Sequence, residues 1–302
     1  MHYTYQIYGQ VVISELELPA LLPAENSEHS LCIQKGRVPA ELNEPITGQS
    51  HFSVFNEHEC LTAVPGVARY YTTGGNRVLV EPEIPDKYEI ALFIYSHCIP
   101  LALLQRNRVL LHVSGVFIRP GEVLLIAGPS GAGKSSTALM LEQLGYPLFT
   151  DDTALLSMES GKCYARASYP ETRLWAEAAE MKLSPEEKRR VRPHLEKYAY
   201  TFDHSFTADR VEVKGIVFLD TEGEEVNIAA LNATETWRYL NDNTYVLRFI
   251  RGMNKSKLLF HYTTALAGLL PGWKALRPAG VKSYETFSKA IEEEIIRCEV
   301  KA

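Results

Sequence analysis

The feature that most constrains this chain is a run of five apolar residues, Val123–Ala127, which opens directly into Gly128-Pro129-Ser130-Gly131-Ala132-Gly133-Lys134-Ser135. A continuous apolar run of that length reads as a strand buried on both faces. The residues after it match G-x-x-x-x-G-K-S/T at every fixed position, and the following helical pattern, Lys134 to Leu144, stops at Gly145. Strand, glycine-rich loop and helix in that order make a phosphate-binding loop. Gly128, Gly131 and Gly133 let backbone N–H groups close around a phosphate, and Ser130, Ala132 and Ser136 complete the cradle. Lys134 is expected to reach the β- and γ-phosphates, and the Ser135 hydroxyl to ligate Mg²⁺. The expected ligands are therefore ATP, or another nucleoside triphosphate, and Mg²⁺.

An acidic partner is needed to complete such a site. Asp151-Asp152 lies 17 and 18 residues after Lys134, at the end of a short strand predicted over Tyr146 to Thr150. Two adjacent carboxylates can divide the work, one holding Mg²⁺ and the other taking a proton from an attacking hydroxyl. Asp220, which ends the apolar run Ile216-Val217-Phe218-Leu219, is an alternative in form and reads better as a strand-end turn residue. The strand–loop–helix–strand order predicts an α/β domain with a mainly parallel sheet. Further helices are predicted over 234–243, 255–270 and 283–298. Another is predicted from Ser184, capped by Ser184 with Pro185 and Glu187, carrying Lys188, Arg189, Arg190, Arg192, His194 and Lys197 as a solvated basic face, a lid or docking surface for an acidic peptide, or a source of phosphate-clamping Arg.

The segment Gly121 to Leu155 resembles the catalytic core of the HPr kinase/phosphorylase family, which has a phosphate loop, a helix ending in Gly, a short strand and an Asp-Asp pair. His112, 16 residues before Gly128, is similar to the family's histidine on the strand leading to the loop, and Glu171-Thr172-Arg173 to its Glu-x-Arg signature. The resemblance implies a P-loop kinase core of the HPr kinase/phosphoenolpyruvate-carboxykinase-like type. It implies Asp151 as general base, Asp152 as Mg²⁺ ligand and His112 as a helper beside the transferring phosphoryl group, with Glu171 and Arg173 nearby. The glycines that follow Glu-x-Arg in that family are absent, and Leu174-Trp175 stands in their place, which sets the chain apart from the phosphorylase half of the activity. Arg248 and Arg251 are alternative phosphate clamps, acting within the chain or across the subunit boundary of a homo-oligomer.

Residues 1–85 read as a β-rich region packed on a catalytic domain over 86–302. Tyr70-Tyr71-Thr72 and Val78-Leu79-Val80 flank the turn signal Gly74-Gly75-Asn76, as in a hairpin, and Tyr88 to Arg106 has helical spacing. Tyr5, Gly9, Ser14, Glu15, Leu18 and Pro19, with Val64 to Tyr70, resemble the opening of stand-alone HPr-kinase-like proteins, some of which resemble lasso-peptide tailoring kinases. That resemblance implies a serine or threonine hydroxyl of a peptide or small protein as acceptor, a RiPP (lasso) precursor peptide included. A nucleotide-binding switch without transferase activity, and a small-molecule kinase on the same core, remain alternatives at this point.

Composition narrows the field further. Lys and Arg number 31 against 37 Asp and Glu, a formal net charge of −6, which argues against broad nucleic-acid binding. The five cysteines are far apart and never form C-x-x-C, so free thiols in a reducing cytosol are expected. Met1 to Tyr5 lacks a signal-peptide layout, and the apolar stretch Ile90 to Leu104 carries His97 and Pro100, so a cytoplasmic protein with no membrane partner is expected. H-R-D with D-F-G, H-E-x-x-H and G-x-S-x-G are all absent, which removes eukaryotic-type protein kinases, zincins and α/β-hydrolases from consideration.

Overall fold

The computed structural model describes residues 2–25, 31–176, 189–192, 195–202, 206–278 and 284–299. The chain divides into two units, one of residues 1–110 with 245–261, the other of 111–244 with 262–302. The boundary expected near residue 85 thus falls after Leu110, and a second segment from late in the chain returns to the first unit. The helical stretch at 87–105 belongs with the N-terminal strands because its apolar side chains, Ile94 and Leu101 among them, are buried there.

The first unit carries a nine-stranded sheet in the order β3-β1-β2-β4-β9-β8-β7-β6-β5. Its strands are β1 (Tyr3–Ile7), β2 (Gln10–Ser14), β3 (Leu22–Pro23), β4 (Leu31–Lys35), β5 (Gly48–Gln49), β6 (Ser53–Phe55), β7 (Glu59–Val64), β8 (Ala68–Thr73) and β9 (Arg77–Pro82). β8 and β9 pair antiparallel around Gly74-Gly75-Asn76, the hairpin read from the sequence. Helices α1 (Lys87–Phe93) and α2 (Ile99–Gln105) are joined by a π-helical turn, Ile94–Cys98. Pro100 has no N–H for the Ser96 carbonyl four residues back, and the Tyr245 hydroxyl donates to that carbonyl instead, at 3.0 Å. The stretch Lys87–Gln105 is long and apolar enough to cross a membrane by length and composition, and 67% of its most apolar window is buried inside the protein.

The second unit holds the chemistry-bearing residues. Its strands are β10 (Leu110–Leu111, at the boundary), β11 (Val113–Arg119), β12 (Glu122–Ala127), β13 (Leu148–Thr150), β14 (Ala154–Glu159), β15 (Lys162–Ala167), β16 (Glu171–Trp175), β17 (Arg189–Arg192), β18 (Leu195–Thr201), β19 (Val211–Gly223), β20 (Asn227–Leu231) and β21 (Gly272–Pro278). Its helices include α3 (Lys134–Gln143), α4 (Ala233–Asp242) and α5 (Tyr284–Ile291). The main sheet runs β14-β15-β19-β12-β11-β13, with β21 beside β19 and β20 beside β21. Parallel pairing occurs at β12–β19 and β19–β21, whereas β11–β12, β11–β13, β14–β15, β15–β19 and β20–β21 are antiparallel. The expectation of a mainly parallel sheet is therefore corrected. The physical reason is local: a two-residue turn at Pro120-Gly121 folds β11 straight back on β12, and β13 then joins β11 rather than β12.

β12 is buried on both faces, as its apolar run requires. Val123, Leu125 and Ala127 enter one hydrophobic core with Leu240 of α4, and Leu124 and Ile126 enter another with Leu139 and Leu141 of α3 and Phe287 and Ile291 of α5. Each such aliphatic side chain contributes about 1.5–3 kcal/mol on burial, so the strand is a rigid base for the loop that follows it. The helix expected from Ser184 is also corrected over the described residues. Arg189–Arg192 and Leu195–Thr201 are strands of a separate three-stranded sheet, β16-β18-β17. Alternating Tyr198 and Tyr200 favour a pleated strand over a helix. Residues 184–188 and 193–194 lie outside the described residues.

One buried group makes the first unit sensitive to acid. His97 Nε2 lies 2.9 Å from Thr62 Oγ1 and 3.1 Å from Ser53 Oγ, and its ring meets Phe249 edge-on. Burial, reinforced by the Arg248 charge, pushes the imidazole down to about 4. The unfolded chain binds this proton from about pH 6.5, the native fold only near its own lower value, so stability is full above the first and lost towards the second. Urea unfolding should show a loss of roughly 2 kcal/mol between pH 8 and pH 5 from this residue. His97→Gln should flatten that dependence, and an unchanged slope in the variant would remove His97 as its cause.

Candidate functional site

Sheet register assembles the site around β11. Val113 pairs with Ala127, which sets His112 beside the start of the glycine loop, and Gly115 pairs with Thr150, which brings Asp151 next to Ser114. The loop itself needs glycine at its entry. Gly128 has φ +147°, and a methyl carbon there would sit 2.8 Å from the Leu219 carbonyl oxygen. Its N–H donates to Asn243 Oδ1 at 2.7 Å. Asn243 closes α4, a helix fixed at its other end by a reciprocal capping box between Asn232 and Glu235, and donates its own amide to the Tyr239 carbonyl at 2.9 Å. Gly133, left-handed at φ +97°, caps α3, so the positive end of that helix faces the loop.

The carboxylate of Asp151 is the centre of the site. It is buried and accepts hydrogen bonds from three hydroxyls: Ser114 of β11, Thr172 of β16 and Ser135 of α3, the last at 2.9 and 3.0 Å to its two oxygens. Asp152 differs in every respect. Its backbone is left-handed at φ +72°, its side chain is 24% exposed, and Oδ2 stands 3.9 Å from Arg173 Nη1. A non-glycine residue held in that region at a cleft is the kind of local strain that functional sites retain. Arg173 also donates to the Tyr169 hydroxyl at 2.6 Å, and Glu171 is paired with Arg189. Burial pushes the Glu171 carboxyl up, against the two neighbouring arginines.

These groups line one cleft with an empty volume of about 860 Å³ including its open mouth. Ser130, Gly131, Gly133, Lys134, Ser135 and Ser136 form the loop side; Asp151, Asp152, Glu171, Arg173, Lys197 and His112 face it. Lys134 Nζ donates to the carbonyls of Gly128 (2.8 Å) and Pro129 (3.3 Å), and burial lowers its proton affinity despite the pull of Asp151 and Asp152. Burial likewise pushes His112 below its usual value, Asp152 opposing, which favours the neutral imidazole at pH 7. Among the described residues no group of three or more His, Cys, Asp and Glu forms a metal cage. Ser135 Oγ against a carboxylate is nonetheless a hard-oxygen pair that suits Mg²⁺, which takes one or two carboxylates and completes its shell with phosphate oxygens and water. Gly131 and Gly133 line the cleft, and a Cβ at Gly131 would meet nothing within 4 Å, so the loop leaves room for a phosphate there.

Not every expected residue comes to this cleft. Arg248 and Arg251 belong to the other unit and do not line it. Asp220 lies within β19 and pairs with Lys274 at 3.4 Å. Conversely, the sequence reading does not single out Ser114, Thr172, Asn243 or Tyr284, the last of which also lines the cleft, and it places Lys197 on a basic helix rather than on a strand. Thr172 lies inside the quoted Glu-x-Arg segment, so its neighbourhood was visible; Asn243, far along the chain, carries no motif.

Compared with known proteins, the sequence matches no family model and no curated protein. Among solved structures it is similar to one described as the Hpr(Ser) kinase/phosphatase from Coxiella burnetii, at 12% identity and a TM-score of 0.33, covering 64% of this chain and 99% of that one.

The Asn243 contact can be tested directly. Asn243→Leu leaves the Gly128 N–H without its acceptor in a buried place, which should lower stability by about 1–3 kcal/mol in urea unfolding. A variant as stable as the wild type would show that the contact does not hold the loop.

Proposed function

We propose that this cleft is a Mg²⁺-dependent phosphotransferase site, which uses ATP or another nucleoside triphosphate to phosphorylate a Ser or Thr hydroxyl of a peptide or small protein. The acceptor favoured by the N-terminal resemblance is a lasso-type precursor peptide. The observation that carries the reading is the contrast between the two carboxylates: Ser135 lies against Asp151, while Asp152 stays open to the cleft beside the phosphate loop. A nucleotide-binding switch needs the first arrangement and has no use for the second.

The hydrogen bonds support a division of labour opposite to the one the resemblance implies. Asp151, already on Ser135, belongs to the metal side, and Asp152 is the carboxylate with room to meet an acceptor hydroxyl and take its proton. Mg²⁺ supplies charge neutralisation on the phosphates when bound. The loop amides and Lys134 hold the phosphates, Lys134 exchanging two backbone carbonyls for charged oxygens, which make stronger partners. His112 lines the same cleft and would offer a hydrogen bond there, and Arg173, 3.9 Å from Asp152, would steady it from β16.

Incubation of the full chain with ATP, Mg²⁺ and candidate peptides, read by mass spectrometry, should give a peptide heavier by about 80 Da, one phosphoryl group. Label on a metabolite instead would move the reading to a small-molecule kinase, and nucleotide binding with neither product would leave the switch. Asp152→Asn should lower the transfer rate by roughly 10²–10⁴-fold with nucleotide affinity retained. Ser135→Ala should instead weaken the Mg²⁺ dependence of nucleotide binding. Wild-type transfer by Asp152→Asn would return the base to Asp151.

A further inference from the structure

The three-stranded sheet β16-β18-β17 contributes Glu171, Arg173, Leu174 and Lys197 to the cleft lining, and its register puts its cations together. Arg173 pairs with Ala199, Trp175 with Lys197 and Arg189 with Ala199. Directly opposed residues of antiparallel strands project to one face, so Arg173, Lys197 and Arg189 share a face with Glu171. Their partners differ. Arg189 is engaged by Glu171, and Arg173 by the Tyr169 hydroxyl with Asp152 at a long 3.9 Å. Lys197 lines the cleft, as Lys134 and Ser135 do.

We propose that Lys197 binds the terminal phosphate of the nucleotide, forming with Lys134 a cationic clamp in the cleft. This rests on the phosphotransferase reading of the same cleft. A triphosphate seated on the loop by its inner phosphates extends its last one away from the α3 N-terminus, towards whatever faces the loop. The cations that line the cleft outside the loop are Lys197 and Arg173, which share one face of the sheet. A diphosphate stops short of them. Burial and the Arg173 charge both lower the proton affinity of Lys197, while Asp151 and Asp152 raise it; an arriving anion would relieve the repulsion from Arg173. A primary ammonium suits the task, since its three donors can follow a phosphoryl group without the fixed planar geometry of a guanidinium. The residue is therefore a discriminator between tri- and diphosphate rather than a general nucleotide anchor.

The test is calorimetric titration of the full chain with Mg²⁺ and either the β,γ-imido analogue of ATP or ADP. The wild type should prefer the triphosphate. Lys197→Met should cut that preference roughly ten- to hundredfold, as expected for losing one charge-assisted hydrogen bond, with ADP affinity little changed. Lys197→Arg should restore most of it, which also controls for folding of the strand. Lys134→Ala should weaken both nucleotides. If Lys197→Met leaves the triphosphate-to-diphosphate ratio unchanged, or weakens both ligands equally, while Lys134→Ala still weakens both, the clamp is refuted and the nucleotide site stands. If the wild type binds neither nucleotide, the phosphotransferase reading fails and the clamp with it.

Discussion

Everything in the cleft is organised by one buried carboxylate, that of Asp151. Three hydroxyls donate to it from three different elements: Ser114 on β11, Ser135 at the start of α3 and Thr172 on β16. A carboxylate taken out of water without partners is expensive, and each hydroxyl offsets part of that. The consequence is positional. Sheet, loop helix and opposite wall cannot shift independently without exposing or orphaning that charge. The phosphate loop is thus tied to β16, and through β16 to the strand that carries Lys197.

The loop has a second tie, on its other side. Gly128 donates its N–H to Asn243 Oδ1. An N–H at the loop's entry that donates outward fixes where the chain leaves β12, and α4 supplies the acceptor at its own terminus. Charge follows the same economy. A chain with formal net charge −6 concentrates Lys134, Arg173, Lys197 and Arg189 around Asp151, Asp152 and Glu171, so the local site bears no relation to the global sum.

What was legible in the sequence had a local cause. The loop, the strand before it and the helix after it follow from composition within a few residues. So do the hairpin at Gly74-Gly75-Asn76 and the helices near 234–243, 255–270 and 283–298, which occur at Ala233–Asp242, Ser256–Leu269 and from Tyr284. What was not legible depended on pairing between distant segments. Whether β13 joins β12 or β11 is decided by sheet energetics, and a parallel sheet was inferred from element order alone. The basic segment at 189–197 reads as a helix from its proline and capping box, whereas pairing of β18 with β16 and of β17 with β18 makes it strand. Asn243 could not have been found from any motif, since its role is created by where α4 ends.

The different surroundings of Asp151 and Asp152 show why adjacent identical residues resist assignment from sequence. Side chains of successive residues leave the backbone in different directions, so only one of the pair can turn back onto the α3 serine. The left-handed backbone of Asp152 settles which: it breaks the extended path after β13 immediately beyond Asp151, aligning the first carboxylate with Ser114 and Ser135 and leaving the second about a quarter exposed. A residue bound by three donors has little freedom to collect a proton from an incoming hydroxyl, because each lone pair it offers must first be released from a neighbour. One with a single long contact to Arg173 has that freedom. Backbone conformation at one position thus separates a buried carboxylate held by three hydroxyls from a partly exposed one, although the two are chemically the same.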